Sequence, residues 1–253
     1  MPLLPEAAQR VLSLAADPRA SPAALVDVLR RDAALAAHLL RVANSALYRG
    51  PSAIVSLQQA VSRLGMERVR DVALAIACGT RVFAVRGFAK EVRAELRHAL
   101  GTAEFAQRLA RGLRLNVEEA FLAGLLHDVG RVVLLDLAVA LDRRLQTRAP
   151  REALLGLTGA GHERVGGLLA TRWELSPRVV AAITSHHEPD GTPLAAVVHL
   201  ADRLAHGALG TGEATVLVLP GTPAALSLNL YPEDLEALAG GSAEVCAAVE
   251  ALG

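Results

Sequence analysis

Residues 121–136, FLAGLLHDVGRVVLLD, form an apolar run interrupted by adjacent His127 and Asp128, with Arg131 one turn further on. An imidazole and a carboxylate inside a segment otherwise fit for a core need something to hold them. That is either a metal ion or the hydrogen bonds of a site that once did chemistry. On a continuous helix the two side chains would diverge by about 100°. Any ion they share would then need ligands from other helices. The chain offers them in His98 of ELRHAL, His162 of GHERVGG, His186 and His187 of SHHEPDG, and Asp202 of VVHLADRLA. Imidazoles with carboxylates suit one or two ions of iron, manganese or zinc, with positions left for water. Two such ions side by side would activate water for phosphoester hydrolysis.

Each of these residues also has a plainer reading. His38 and His206 read as core or rim residues. His199 lies three positions before Asp202 and would support it, touch it on the helix surface or do nothing. His186 and His187 would suit the polar C-terminal end of a helix. The metal reading gains from the set as a whole, spread over separate helices.

Those helices are expected from composition. Of 253 residues, 52% are hydrophobic and only 3% aromatic, with Ala, Leu and Val dominating. That mix favours helix over strand and gives ample core material. Lys+Arg and Asp+Glu both number 26, so no basic excess exists to neutralise a phosphate backbone, and no nucleic-acid partner is expected. Arg30, Arg31, Arg68 and Arg70 are too sparse for a basic DNA-reading face. Cys78 and Cys246 read as small buried hydrophobes. The N-terminal stretch lacks a basic region ahead of an apolar one, and no apolar run approaches the ~20 residues of a membrane span. A cytoplasmic protein without membrane contact is therefore expected.

Five short helices are predicted over about 1–85. Ser21-Pro22 opens one as cap and first residue. Asp32 caps the next, and Ser56 with Gln59 forms a capping box for another. Residues 86–90 read as a joint. Beyond it, helices are predicted over Glu91–Gly112, Val117–Leu141, and about 151–157, 162–172, 176–187 and 192–207. The stretch TVLVLPG reads as strand or extended loop, and two closing helices follow.

The order His98, LLHDVGR, GHE, SHHE and HLAD resembles the HD superfamily of metal-dependent phosphohydrolases. With RVANSALY (41–48) and SLQQAVSRLGMERVRDVALAIA in the first half, the chain is most similar to the HDOD (HD-related output domain) family. The resemblance implies an all-α fold in a single HDOD domain over 1–253. An N-terminal helical subdomain (1–87) would pack on an HD-like helical subdomain (88–253). It also implies a bacterial signalling module related to HD-GYP domains, which cleave cyclic di-GMP. His98, His127, Asp128, His162, His186, His187 and Asp202 would occupy the metal-ligand positions. Four features depart from the HD-GYP pattern, one being the short run from His187 to Asp202, which leaves out a longer substrate-facing loop. Arg131 replaces a lysine, and the Gly-Tyr-Pro signature is absent. The Glu of some three-ion sites would fall near Ala94, with Glu95 one position off.

Two functions follow. The favoured one is a non-enzymatic regulatory module acting through a signalling protein partner. Its surface would include Arg41, Asn44, Ser45 and Tyr48, although Asn44 and Ser45 equally suit the capping of a helix end. The alternative is a metal-dependent phosphohydrolase for a nucleotide or cyclic dinucleotide, with Asp128 and Arg131 as catalytic groups, the arginine stabilising phosphoryl charge.

Overall fold

The computed structural model describes residues 6–15, 19–31, 33–45, 47–48, 50, 53–77, 85–189, 191–210 and 219–252. Among them the chain is all-α, with no strand. Its helices are α1 (Glu6–Ala15), α2 (Pro22–Arg30), α3 (Ala33–Ala43), α4 (Leu57–Ala77), α5 (Ala89–Gly112), α6 (Val117–Leu126), α7 (Val129–Leu145), α8 (Arg151–Gly156), α9 (His162–Arg172), α10 (Pro177–Ser185), α11 (Pro193–Leu209), α12 (Pro223–Ser227), α13 (Pro232–Gly240) and α14 (Ser242–Leu252). The chain divides into two compact units, one of residues 3–82 and 247–253, the other of residues 1–2 and 83–246.

In the first unit α1, α2 and α3 all pack on α4. Leu25, Val26, Leu29, Leu39, Val42, Val69 and Val72 are buried there. The expected starts are present. Ser21 Oγ accepts from the Ala24 amide at 3.2 Å, with Pro22 as first helical residue. Ser56 and Gln59 exchange side-chain and backbone bonds at 3.2 Å each way. Gly65, at φ +79°, kinks α4. The proposed cap Asp32, Cys78, and most of TVLVLPG lie outside the described residues.

In the second unit α5 lies against α6 and α11, α7 against α9, and α10 against α6, α9 and α11. Leu100, Phe105, Phe121, Leu125, Leu169 and Ile183 fill the space between them. Two crossings are too close for any side chain. A Cβ on Gly124 would stand 2.8 Å from the Ala103 backbone, and one on Gly130 only 1.9 Å from the His162 carbonyl oxygen.

One prediction is corrected here. The single helix expected over Val117–Leu141 is two. His127 closes α6, and Asp128, at φ −102° and ψ 11°, opens α7. The break falls at the His127–Asp128 interruption of the apolar run, with no Pro to mark it. What ends α6 is the His127 side chain, which bonds a carbonyl of the last turn.

Candidate metal centre

Six helices deliver the cluster. His98 comes from α5, His127 from the end of α6, Asp128 from the start of α7 and His162 from the first residue of α9. His186 and His187 follow α10, and Asp202 sits on α11. Relative exposure is 0% for His127 and His186, 2% for His162, 5% for His98 and 8% for Asp128 and Asp202, while His187 is exposed at the rim.

Three of the histidines share one local device. His127, His162 and His186 each donate Nδ1–H to the carbonyl three residues earlier, those of Gly124, Gly159 and Ile183, at 2.8, 2.7 and 2.8 Å. A carbonyl can only accept, so the proton sits on Nδ1 and the lone pair on Nε2. These are carbonyls at helix ends or turns, where partners are otherwise lacking. The Nε2 atoms converge on Asp128. Those of His162 and His186 lie 3.1 and 3.5 Å from Oδ1, and that of His127 lies 3.6 Å from Oδ2. The break between α6 and α7 lets adjacent His127 and Asp128 face one another, which a continuous helix would forbid. His187 Nε2 is 3.1 Å from His162 Nε2.

A second focus surrounds Asp202. His98 Nε2 lies 2.7 Å from its Oδ1, and His127 Nε2 lies 3.6 Å from the same oxygen. His206, set aside in the sequence as a rim residue, belongs here too, with Nε2 3.4 Å from that oxygen. The readable signal was its spacing, one helical turn after Asp202. His199 does not meet Asp202. Its Nδ1 donates to the His186 carbonyl at 2.7 Å and steadies the turn carrying His186 and His187.

Charge is concentrated accordingly. Burial alone would raise the Asp128 carboxyl, but His127, His162, His186 and Arg131 outweigh it and hold it far below the usual range. Asp202 is likewise driven well down by His127 and His98 against its burial. Burial pushes His127 down, yet Asp128 and Asp202 prevail and lift it to about 9. Burial and neighbouring imidazoles lower His187 and His206. Glu95, half-buried one turn before His98, is raised by burial and then by the charge of Asp128. It therefore lies in the field of the cluster although it misses the family position by one residue.

The arrangement fits a cation. Nε2 of His127, Nε2 of His186 and Oδ1 of Asp128 are buried without a hydrogen bond of ordinary geometry. Inward-facing lone pairs around a carboxylate are costly unless a positive charge lies among them. Ligand atoms of Asp128, His162, His186 and His187 lie within 4.8 Å of one another, as do those of His98, His127 and Asp128, and of His98, Asp202 and His206. Asp128 belongs to two of these groups. Arg131 Nε stands 2.9 Å from Asp128 Oδ2, an ion pair without hydrogen-bond alignment, and its side chain is 29% exposed.

In the first unit, Asn44 spends its amide inside the chain. Its Nδ2 donates to the Leu40 and Ile54 carbonyls at 2.9 and 2.8 Å, and its Oδ1 accepts from the Ile54 amide at 2.8 Å. Of the two roles weighed for it, helix capping is the one the geometry displays. Ser45 Oγ is buried without a partner, Arg41 is exposed, and the Tyr48 ring lies 5.6 Å beneath the Arg68 guanidinium.

Comparison with known proteins follows the same lines. The HDOD domain family matches residues 1–189. A solved HDOD domain protein of unknown function from Geobacter sulfurreducens superposes with a TM-score of 0.77 at 25% identity, over 100% of this chain and 93% of that one. A protein of Shewanella amazonensis, provisionally named a phosphohydrolase, does so with a TM-score of 0.73 at 25% identity, over 100% and 95%. Ribonuclease Y of Geobacter metallireducens is 33% identical over 109 residues, which are 42% of this chain and 17% of that enzyme. The chain spans 39% of the first curated relative it matches and 17% of this enzyme.

Proposed function

The chain belongs to the HDOD family, and from that premise we propose that it is a signalling module that holds one or two divalent ions in its His–Asp cluster and acts through a protein partner, without robust turnover. Iron, manganese and zinc all suit the donor set. His162, His186, His187 and Asp128 would hold one ion; His98, His127 and Asp202, with Asp128 shared, would hold the other. Bound there, such ions supply a Lewis acid and an activated water. The observation that carries the regulatory reading is burial. Apart from His187, every expected ligand is at most 8% exposed, so a bulky phosphodiester would have to reach ions whose ligands are nearly all out of contact with solvent. Arg131 adds to this, because its Nε is drawn to Asp128 and part of its charge is spent inside the cluster. The partner surface is assigned to the unit of residues 3–82, where Arg41 is exposed beside the part-buried Asn44 clip. Neutral overall charge and the absence, among the described residues, of any helix long and apolar enough to cross a membrane favour a cytoplasmic protein partner over nucleic acid or lipid.

One observation favours a second reading, a metal-dependent phosphohydrolase. The ligand positions are all filled, and the chain is similar to a protein provisionally named a phosphohydrolase. The deciding experiment is elemental analysis of the full chain purified without chelator, followed by assay of the loaded protein on bis-p-nitrophenyl phosphate and cyclic dinucleotides. About one or two ions per chain with no turnover above the metal-only rate is expected. Turnover lost in Asp128→Asn at unchanged fold would establish the hydrolase instead. An empty site after reconstitution would end both.

A further inference from the structure

The Asp202 side of the cluster is built differently from the Asp128 side. Three imidazole Nε2 atoms surround a single oxygen, Asp202 Oδ1, those of His98 at 2.7 Å, His206 at 3.4 Å and His127 at 3.6 Å. His127 gives its Nδ1–H to the Gly124 carbonyl, so in the neutral ring its Nε2 presents a lone pair toward a carboxylate oxygen. That is repulsive unless a cation lies between them. His206 follows Asp202 by one turn of α11 and shares its stripe. Its ring stacks on His98, with centroids 4.1 Å apart and planes at 29°, so both rings turn an edge to the same oxygen. Ligand atoms of His98, Asp202 and His206 lie within 4.8 Å of one another.

We infer that His206 is a ligand of the ion on the Asp202 side, beside His98 and Asp202. The inference rests on the metal-holding reading given above. A further protein donor on that side takes a position that water would otherwise fill. On the Asp128 side the outermost ligand, His187, is exposed at the rim. The ion on the Asp202 side, held by the added donor His206, should be the slower of the two to leave.

The experiment uses the full chain, stripped and reloaded with cobalt(II) for visible absorption and with zinc for release to a chelating dye. His206→Gln removes the donor at a half-exposed position. His206→Phe keeps a ring stacked on His98 and removes the nitrogen. Wild type is expected to release zinc in a fast and a slow phase and to show the cobalt bands of the loaded centre. In both variants the slow phase should quicken about 10–100-fold and the cobalt bands should weaken, at an unchanged metal-free melting temperature. An unaltered slow phase and spectrum in His206→Gln would overturn the assignment. So would restoration by His206→Phe, which would reduce His206 to a stacking ring. Wild type that binds neither cobalt nor zinc would instead remove the metal centre itself.

Discussion

His127 is the residue on which the electrostatics turn. Its pKa is raised from 6.5 to about 9, against its own burial, by Asp128 and Asp202. In the metal-free chain its imidazolium therefore contributes stability that is complete below 6.5 and lost as pH rises through 9. The carboxyls of Asp128 and Asp202 are lowered, so their contribution is present above 3.8 and is lost as pH falls. His187 and His206, both lowered, act against stability below 6.5. Denaturant titration of metal-free protein should show stability falling from pH 6.5 up through about 9. The loaded protein, whose His127 proton has been displaced by the ion, should not show that fall. Asn44 supplies a second prediction. Asn44→Ala removes three hydrogen bonds and strands the amide and carbonyl of Ile54. It should cost about 1–3 kcal/mol by denaturant unfolding, before any partner is considered.

At the level of elements, the distance from Asp128 to His162 is set by the crossing of α7 on α9, and that crossing exists because Gly130 has no side chain. Gly130→Ala should push α9 away, lower stability by roughly 2–4 kcal/mol and lose bound metal together with it. Thermal melts and elemental analysis on the same sample would check both. Much of this level was readable in the residues. Ser21-Pro22 and Ser56 with Gln59 announced their helices because capping is local chemistry. The ligand-bearing helices could be placed because apolar spacing is periodic. The break after α6 was not readable, because its cause is the His127 side chain folding back on the Gly124 carbonyl, which the apolar spacing on either side does not announce. His206 was passed over because a histidine among alanines near a helix end looks like any rim residue. Only the packing of α11 on α5 puts it beside His98. His199 was paired with Asp202 by spacing, and the turn after α10 claimed it instead.

At the scale of the molecule, an ion in this cluster would tie together six helices, and His98 and Asp202 alone stand 104 positions apart. Such a tie acts on the folded state by mass action. At free ion about 100 times its dissociation constant it adds about 2.7 kcal/mol. Adding a chelator should therefore lower the calorimetric melting temperature, and restoring the ion should return it. A protein that melts identically with and without chelator would hold no ion that matters to its fold. The bond from His127 Nδ1 to the Gly124 carbonyl carries one more consequence. It closes the last turn of α6 and aims Nε2 in the same stroke, so fraying of that turn and withdrawal of the ring are one motion. The amides of the α6 terminus thus become a clock for the centre. Their hydrogen exchange should slow when an ion is held and quicken when it leaves, so that occupancy far inside the molecule is written in the breathing of a helix end.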